Sequence, residues 1–394
     1  MIVVDRPALD EPAAERPSLI GAAGGWWPGV AGALGLFALT RLVQVALIAW
    51  MLPSDAPGVR QKLLVWDAGW FVRVAMEGYP HGYSYNDQGE LVGNGIAFFP
   101  GFPALIRLAS LTGLEPTTAA IVVAWLGGAA AAVLVYLLGT SLYDRRVGYA
   151  LLVLCCTQPM SVVFSLAYSE GVFVAFVAGM LLAAHRRAWP AAGLLGLAAA
   201  LTRPTGAAAA VALAVAAVLA WRRPEPGERR WAPLAAAAVA LAGVPAFLLW
   251  AGLRIGDLDA WFRIQAAGWG TTFDFGRSVW QFMVGTLRGG DGWVPISIVW
   301  LLVVAVAAAV VAVARRVWLP LTVYGLLVLV LVLGQAGYYH SKPRLLVPVL
   351  LVLVPAAVAA GRAKSRAVYL VLALYAAFGL WYGAYLVAVW PYTI

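Results

Sequence analysis

Charge is scarce in this chain. Asp, Glu, Lys and Arg make up 11% of its 394 residues, less than half the share usual in a soluble domain, which excludes a globule with a water-covered surface. Cysteine is limited to Cys155 and Cys156. Neighbouring cysteines inside an apolar run exclude a disulfide framework. The three histidines, His81, His185 and His340, are too far apart in sequence to form a spaced metal motif. No cleavable signal peptide precedes the first apolar run. No internal repeat relates one half of the chain to the other, as in many transporters.

What fills the chain is apolar: 63% hydrophobic residues and a mean hydropathy of +0.86. Runs of about 20 apolar residues are long enough to cross a bilayer, so the class is an all-α polytopic membrane protein. Spans are predicted at 27–52, 118–142, 147–167, 170–184, 190–202, 205–221, 232–254, 293–314, 317–336, 344–360 and 367–390, about eleven in all. The net charge of +9 would suggest nucleic acid in a soluble chain. Here it falls on alternate loops: Arg145/Arg146, Arg186/Arg187, Arg222/Arg223/Arg229/Arg230, Arg315/Arg316 and Arg362/Lys364/Arg366. Cytoplasmic loops collect such residues, so no nucleic-acid partner is implied.

The expected arrangement is a flexible cytoplasmic tail at residues 1–25 and a single transmembrane domain over 26–394, in the cell membrane. Its outer loops lie at about 53–117 and 255–292, and the unusual polar residues fall on that outer side. Arg41 lies inside the first span and is expected to face other helices, paired with a buried carbonyl or acid.

The first charged and aromatic stretch after that span is Trp66-Asp67-Ala68-Gly69-Trp70-Phe71-Val72-Arg73-Val74-Ala75-Met76-Glu77-Gly78-Tyr79. Apolar residues at helical spacing predict a short helix in the membrane interface, opened by Asp67 and closed by Gly78. The Asp67 carboxylate has two readings here, a helix cap or a base for an incoming hydroxyl. Arg203 precedes Pro204, which turns it out of helical geometry, and a guanidinium fork suits a phosphate; the other reading is a snorkelling arginine. Tyr338-Tyr339-His340-Ser341-Lys342-Pro343-Arg344 is a second cationic cluster, fit to clamp a phosphate or to anchor in lipid headgroups. Gln265, Trp269 and Asp274, with Trp66 and Trp70, mix rings and polar groups as a sugar or acceptor would require. Interfacial aromatic belts use the same residues.

Trp66-Asp67-x-x-Trp70-Phe71-x-x-x-Ala75-x-x-Gly78-Tyr79, Phe98-Phe99-Pro100-x-Phe102-Pro103, Tyr168-Ser169-Glu170, Leu201-Thr202-Arg203-Pro204-Thr205-Gly206 and Lys342-Pro343-Arg344 occur in this order. Over residues 28–350 the chain resembles the PIG-V-type mannosyltransferases, bacterial relatives of the second mannosyltransferase of GPI-anchor synthesis, in the GT-C class of integral membrane glycosyltransferases. The resemblance implies a GT-C-like fold, a polyprenyl-phosphate sugar donor, usually mannose, and an acid in the first outer loop, which falls on Asp67. Glu170 is the candidate second acid. Residues 345–394 match no motif.

The implied reaction moves a mannosyl group from polyprenyl-phosphate-mannose to a hydroxyl of a lipid, glycan or protein, with inversion. Asp67 would be the base, and Arg203, Lys342 and Arg344 would hold the donor phosphate. A phosphate leaving group needs no protonation, so paired carboxylates are not required. No cofactor is expected, and the sparse acids of the outer side argue against a metal. The rival readings are a lipid-linked-sugar transporter or flippase and a membrane subunit without chemistry.

Overall fold

A computed structural model describes residues 23–290 and 292–393. In chain order its helices are α1 (Ala23–Met51), α2 (Val59–Lys62), α3 (Asp67–Glu77), α4 (Gly101–Ser110), α5 (Pro116–Leu142), α6 (Arg145–Thr157), α7 (Glu170–His185), α8 (Trp189–Ala200) and α9 (Gly206–Arg222). There follow α10 (Ala232–Ile255), α11 (Ala260–Trp269), α12 (Arg277–Gly289), α13 (Trp293–Ala314), α14 (Leu319–Gly334), α15 (Lys342–Leu345), α16 (Val354–Arg362) and α17 (Ala367–Ala388). A two-stranded hairpin, β1 (Ser84–Tyr85) with β2 (Leu91–Val92), lies between α3 and α4. The tail expected at 1–25 falls outside the described residues up to position 22, and α1 begins at Ala23.

The protein is a multi-pass membrane protein. Among the described residues, α1, α5, α10, α13 and α17 are long and apolar enough to cross a bilayer, while α7, α8, α9 and α14 are apolar but shorter. The span expected to run unbroken over 344–360 is instead bent by 59° between Tyr339–Leu345 and Leu350–Arg362. Breaks at membrane depth expose backbone carbonyls that need partners. Here the Tyr324 hydroxyl donates to Pro348 O at 3.1 Å and Gln158 Nε2 to Val347 O at 3.3 Å. The break between α6 and α7 is served by Arg41, which is fully buried and donates to Ser161 O (2.6 Å), Cys156 O (2.7 Å) and Ser165 Oγ (3.0 Å). Its charge is spent on carbonyls, as expected.

Helices α8, α9 and α10 are built mostly of Ala, Gly, Leu and Val, and small residues let their backbones approach closely. A Cβ added at Gly193 would meet Ala236 Cα at 2.9 Å, and one at Gly243 would meet Ala200 Cβ at 2.6 Å. The arginine-bearing loops gather at one end of the bundle. Arg187 Nη1 lies 2.5 Å from Glu228 Oε2, the His185 and Trp318 rings are 5.3 Å apart, and Gly361 packs on Val147.

Helix α3 has the expected amphipathic face, and that face is turned onto the protein. Phe71 packs on Phe98 at 5.0 Å and on Phe102 of α4 at 4.9 Å, with Ala68, Val74 and Ala75 also buried. Gly78 closes the helix at φ 80°, a left-handed geometry that costs glycine little. Asp67 does not cap it. Trp66 occupies the N-cap position with φ 53°, no side chain there makes a capping bond, and Asp67 is the first helical residue.

Candidate functional site

Three backbone contacts bring the distant motifs together. Ala167 N donates to Leu63 O at 2.9 Å, which places Tyr168-Ser169-Glu170 beside the start of α3. Gly101 N donates to Leu201 O at 2.7 Å, which seats α4 on the turn carrying Arg203. Ala336 N donates to Thr272 O at 2.7 Å, which joins the loop after α11 to the end of α14. Each contact ties an expected outer loop to the adjoining end of an expected span.

The result is a cleft of about 410 Å³ whose lining includes Asp67, Arg203, Gln265, Trp269, Lys342 and Arg344. At its centre acids and bases alternate. Arg203 Nη1 lies 2.7 Å from Glu170 Oε1, Arg344 Nε lies 3.6 Å from the same oxygen, and Arg344 Nη1 lies 2.8 Å from Asp67 Oδ2. Arg203 also donates to Ser169 Oγ at 3.0 Å. The side chains of Arg203, Arg344 and Asp67 are 13%, 12% and 19% exposed, whereas Glu170 is 1% exposed. Glu170 therefore sits behind the two guanidiniums, paired by charge, and neither of its oxygens has a well-aligned hydrogen bond. A buried carboxylate in that setting holds the arginines in place against their mutual repulsion.

Lys342 is buried in the cleft wall and closes the end of α14. Its Nζ donates to Val332 O at 3.0 Å, to Gln335 O and to Ala336 O at 3.4 Å. An ammonium bound to three carbonyls has no free donor for a phosphate, which corrects the expectation that it acts as a direct clamp. The broken span explains its position: the bend turns Lys342 and Arg344 into the cleft.

The roof comes from the hairpin and α11. Gln265 Nε2 donates to Ala97 O at 3.0 Å, and the Trp269 ring packs on Phe98 at 5.3 Å. Gly93 and Gly268 meet so closely that a Cβ on Gly268 would lie 2.6 Å from Gly93 Cα. Tyr83 Oη donates to Asp257 Oδ2 at 2.5 Å, and Arg263 Nη1 to the same oxygen at 2.8 Å. The Tyr83 hydrogen bond, with donors from the Asp259 backbone and Arg263, holds the Asp257 carboxyl below its usual range. A lowered pKa means this clasp is fully formed at neutral pH and is lost as pH falls through it. Tyr83→Phe is expected to speed amide exchange several-fold over residues 79–97 and to leave α5–α9 unchanged, as hydrogen-exchange mass spectrometry would read.

Three expected sugar contacts lie elsewhere. Asp274 is outside the cleft, where its carboxylate accepts from Gly276 N at 3.0 Å and from Ser278 N at 2.8 Å and so caps the start of α12. Trp66 packs against the core at the turn into α3. Trp70 stacks on Phe98 at 5.9 Å and meets the edge of Trp269 at 6.0 Å, behind the lining. The sequence gives no role to two residues at the site, Ser169 in the cleft lining and the buried Tyr168 behind it. Ser169 receives Arg203, and the Tyr168 ring lies 5.1 Å from the Arg344 guanidinium carbon. Both stand in the Tyr168-Ser169-Glu170 motif, in which the acid alone carries a sequence signal for chemistry. Among the described residues no three His, Cys, Asp or Glu side chains converge as metal ligands would.

A second cavity of about 770 Å³ opens between α12, α13 and α14 and is lined almost wholly by apolar side chains such as Val279, Met283, Val310 and Leu329. Phe273 lines both cavities.

No family model matches this chain, and no curated protein matches its sequence. Solved structures do. ArnT from Cupriavidus metallidurans bound to undecaprenyl phosphate aligns at TM-score 0.51 with 15% identity over 87% of this chain, and its apo state aligns at 0.51 with 16% identity over 90%. The chain has a GT-C-like fold. It spans 62% of the length of ArnT. The archaeal oligosaccharyltransferase AglB from Archaeoglobus fulgidus, in complex with an inhibitory peptide and a dolichol-phosphate, aligns at TM-score 0.48 with 15% identity, covering 92% of this chain and 56% of that one.

Proposed function

We propose that this GT-C-like chain is a glycosyltransferase that moves a sugar from a polyprenyl-phosphate donor to a hydroxyl acceptor. The observation that carries this reading is the meeting of Asp67 with Arg203 and Arg344 in one cleft, from segments more than a hundred residues apart. The likeness to a protein solved with undecaprenyl phosphate adds to it. The resemblance of the motifs from Trp66-Asp67 to Lys342-Pro343-Arg344 to those of PIG-V-type mannosyltransferases favours mannose. In this reading Asp67 takes the proton of the acceptor hydroxyl as the oxygen attacks the anomeric carbon from the face opposite the phosphate, with inversion. Arg203 and Arg344 stabilise the charge that grows on the leaving phosphate. Gln265 and Trp269 offer a sugar a polar edge and a ring face. The apolar cavity beside Phe273 suits the isoprenoid chain, and Lys342 supports the wall without touching the phosphate. The experiment that tests this is transfer of labelled mannose from a polyprenyl-phosphate donor by purified protein in detergent.

The cleft is assigned to the outer face of the cell membrane on the charge of the opposite end, where the arginine-rich loops gather. Gln88 and Pro226 are exposed on the two ends. Cysteine at position 88 is expected to react with an impermeant thiol reagent in intact cells and cysteine at 226 only after lysis, against a silent background from the buried Cys155 and Cys156. The opposite pattern would put the cleft inside.

A further inference from the structure

Arg344 serves two acids at once. Its Nη1 is 2.8 Å from Asp67 Oδ2 and its Nε is 3.6 Å from Glu170 Oε1, over the ring of Tyr168. The two acids differ in access. Glu170 is 1% exposed and outside the cleft lining, so it stays with the arginines whatever enters. Asp67 lines the cleft together with Arg203 and Arg344. An anion that reaches Arg344 from the cleft therefore meets Asp67 already on its open side.

Building on the phosphate reading above, we propose that Arg344 is an exchange residue. In the empty cleft it masks Asp67 in an ion pair. A phosphoryl group bound in the cleft takes over the guanidinium, whose fork fits phosphate oxygens, and releases the carboxylate. Donor binding and exposure of the base become one event, so the donor is in place before an acceptor hydroxyl is deprotonated. Arg344 acts here as a positioning residue for Asp67 as well as a phosphate ligand.

Competition for one guanidinium has a thermodynamic signature. Removing the competitor must tighten phosphate binding, and the coupling is reciprocal. The test measures binding of undecaprenyl phosphate, and separately of inorganic phosphate, to the purified full chain in detergent. Asp67→Asn keeps the shape and removes the charge, and it is expected to tighten binding about tenfold, within the range usual for coupled sites. Asp67→Ala, which removes the same charge, should repeat the gain, and Arg344→Lys should abolish it. A gain confined to undecaprenyl phosphate assigns a lipid-borne phosphate; a gain with inorganic phosphate as well assigns the phosphoryl group alone, and either supports the exchange. If Asp67→Asn and Asp67→Ala bind no tighter than wild type while Arg203→Lys binds more weakly, the phosphate site stands and the exchange falls. If wild type binds neither probe, the phosphate reading fails and takes the exchange with it.

Discussion

Asp67→Asn lowers the rate of sugar transfer on the order of 10²–10⁴-fold, the loss expected when a general base is removed, and leaves the protein folded, inserted and able to bind donor. The structure simplifies this experiment. A capping aspartate would confound it, but Trp66 holds the N-cap position and Asp67 makes no capping bond. What Asn gives up is the ion pair with Arg344 at 2.8 Å, and Arg344 keeps Glu170 as a counter-charge. Asn retains an oxygen that accepts a hydrogen bond and has no basicity to take a proton. Near wild-type transfer by this variant would remove Asp67 from the reaction. The acids next in line are poorly placed: Glu170 lies behind the arginines, and the carboxylate of Asp274 is used on α12.

Arg203→Lys weakens donor binding about tenfold and leaves the fold intact, because a point charge replaces a fork that can give two parallel hydrogen bonds to a phosphate. Arg203→Ala reads differently. It leaves the Glu170 carboxylate, 1% exposed, with Arg344 at 3.6 Å as its remaining ion-pair partner. Breaking a buried pair from one side costs about 3–5 kcal/mol, so a lost signal in that variant would report unfolding. The double substitution Arg203→Ala with Glu170→Gln removes the stranded charge; it should regain much of the stability, read as thermal unfolding in detergent, and still bind donor poorly. Donor binding equal to wild type in a folded Arg203→Lys protein and in the double variant would make Arg203 a structural arginine only.

Much of the fold was legible because bilayer crossing writes itself into hydropathy. The long spans, the turn at Arg203-Pro204 and the carbonyl partners of Arg41 follow from apolar runs, a proline and the cost of a lone charge. The resemblance implies joint roles for Asp67, Arg203 and Arg344, but the spacing of their motifs does not give their convergence, since it depends on contacts such as Ala167 to Leu63. Other features lay below the resolution of pattern. The break near Pro348 depends on Tyr324 and Gln158 reaching its carbonyls. Of the two readings of Asp67, the cap does not form, because the backbone turns at Trp66, at a positive φ that tryptophan seldom adopts. Lys342 looked like a phosphate ligand and is a carbonyl ligand, a distinction set by where α14 ends. Asp274 did leave a signal. Its place two residues before Gly276 and four before Ser278 fits a turn that opens a helix.

One measurement bears most directly on the central claim that this cleft performs sugar transfer. Purified wild-type protein is given radiolabelled polyprenyl-phosphate-mannose with a set of lipid, glycan and peptide hydroxyl acceptors, and the same preparation is reconstituted into vesicles to follow movement of the labelled lipid between leaflets. The account predicts label on an acceptor, loss of that label in Asp67→Asn with binding retained, and no acceleration of lipid movement. Movement of the lipid across the vesicle membrane with no label on any acceptor would contradict it and make the cleft a passage for a lipid-linked sugar.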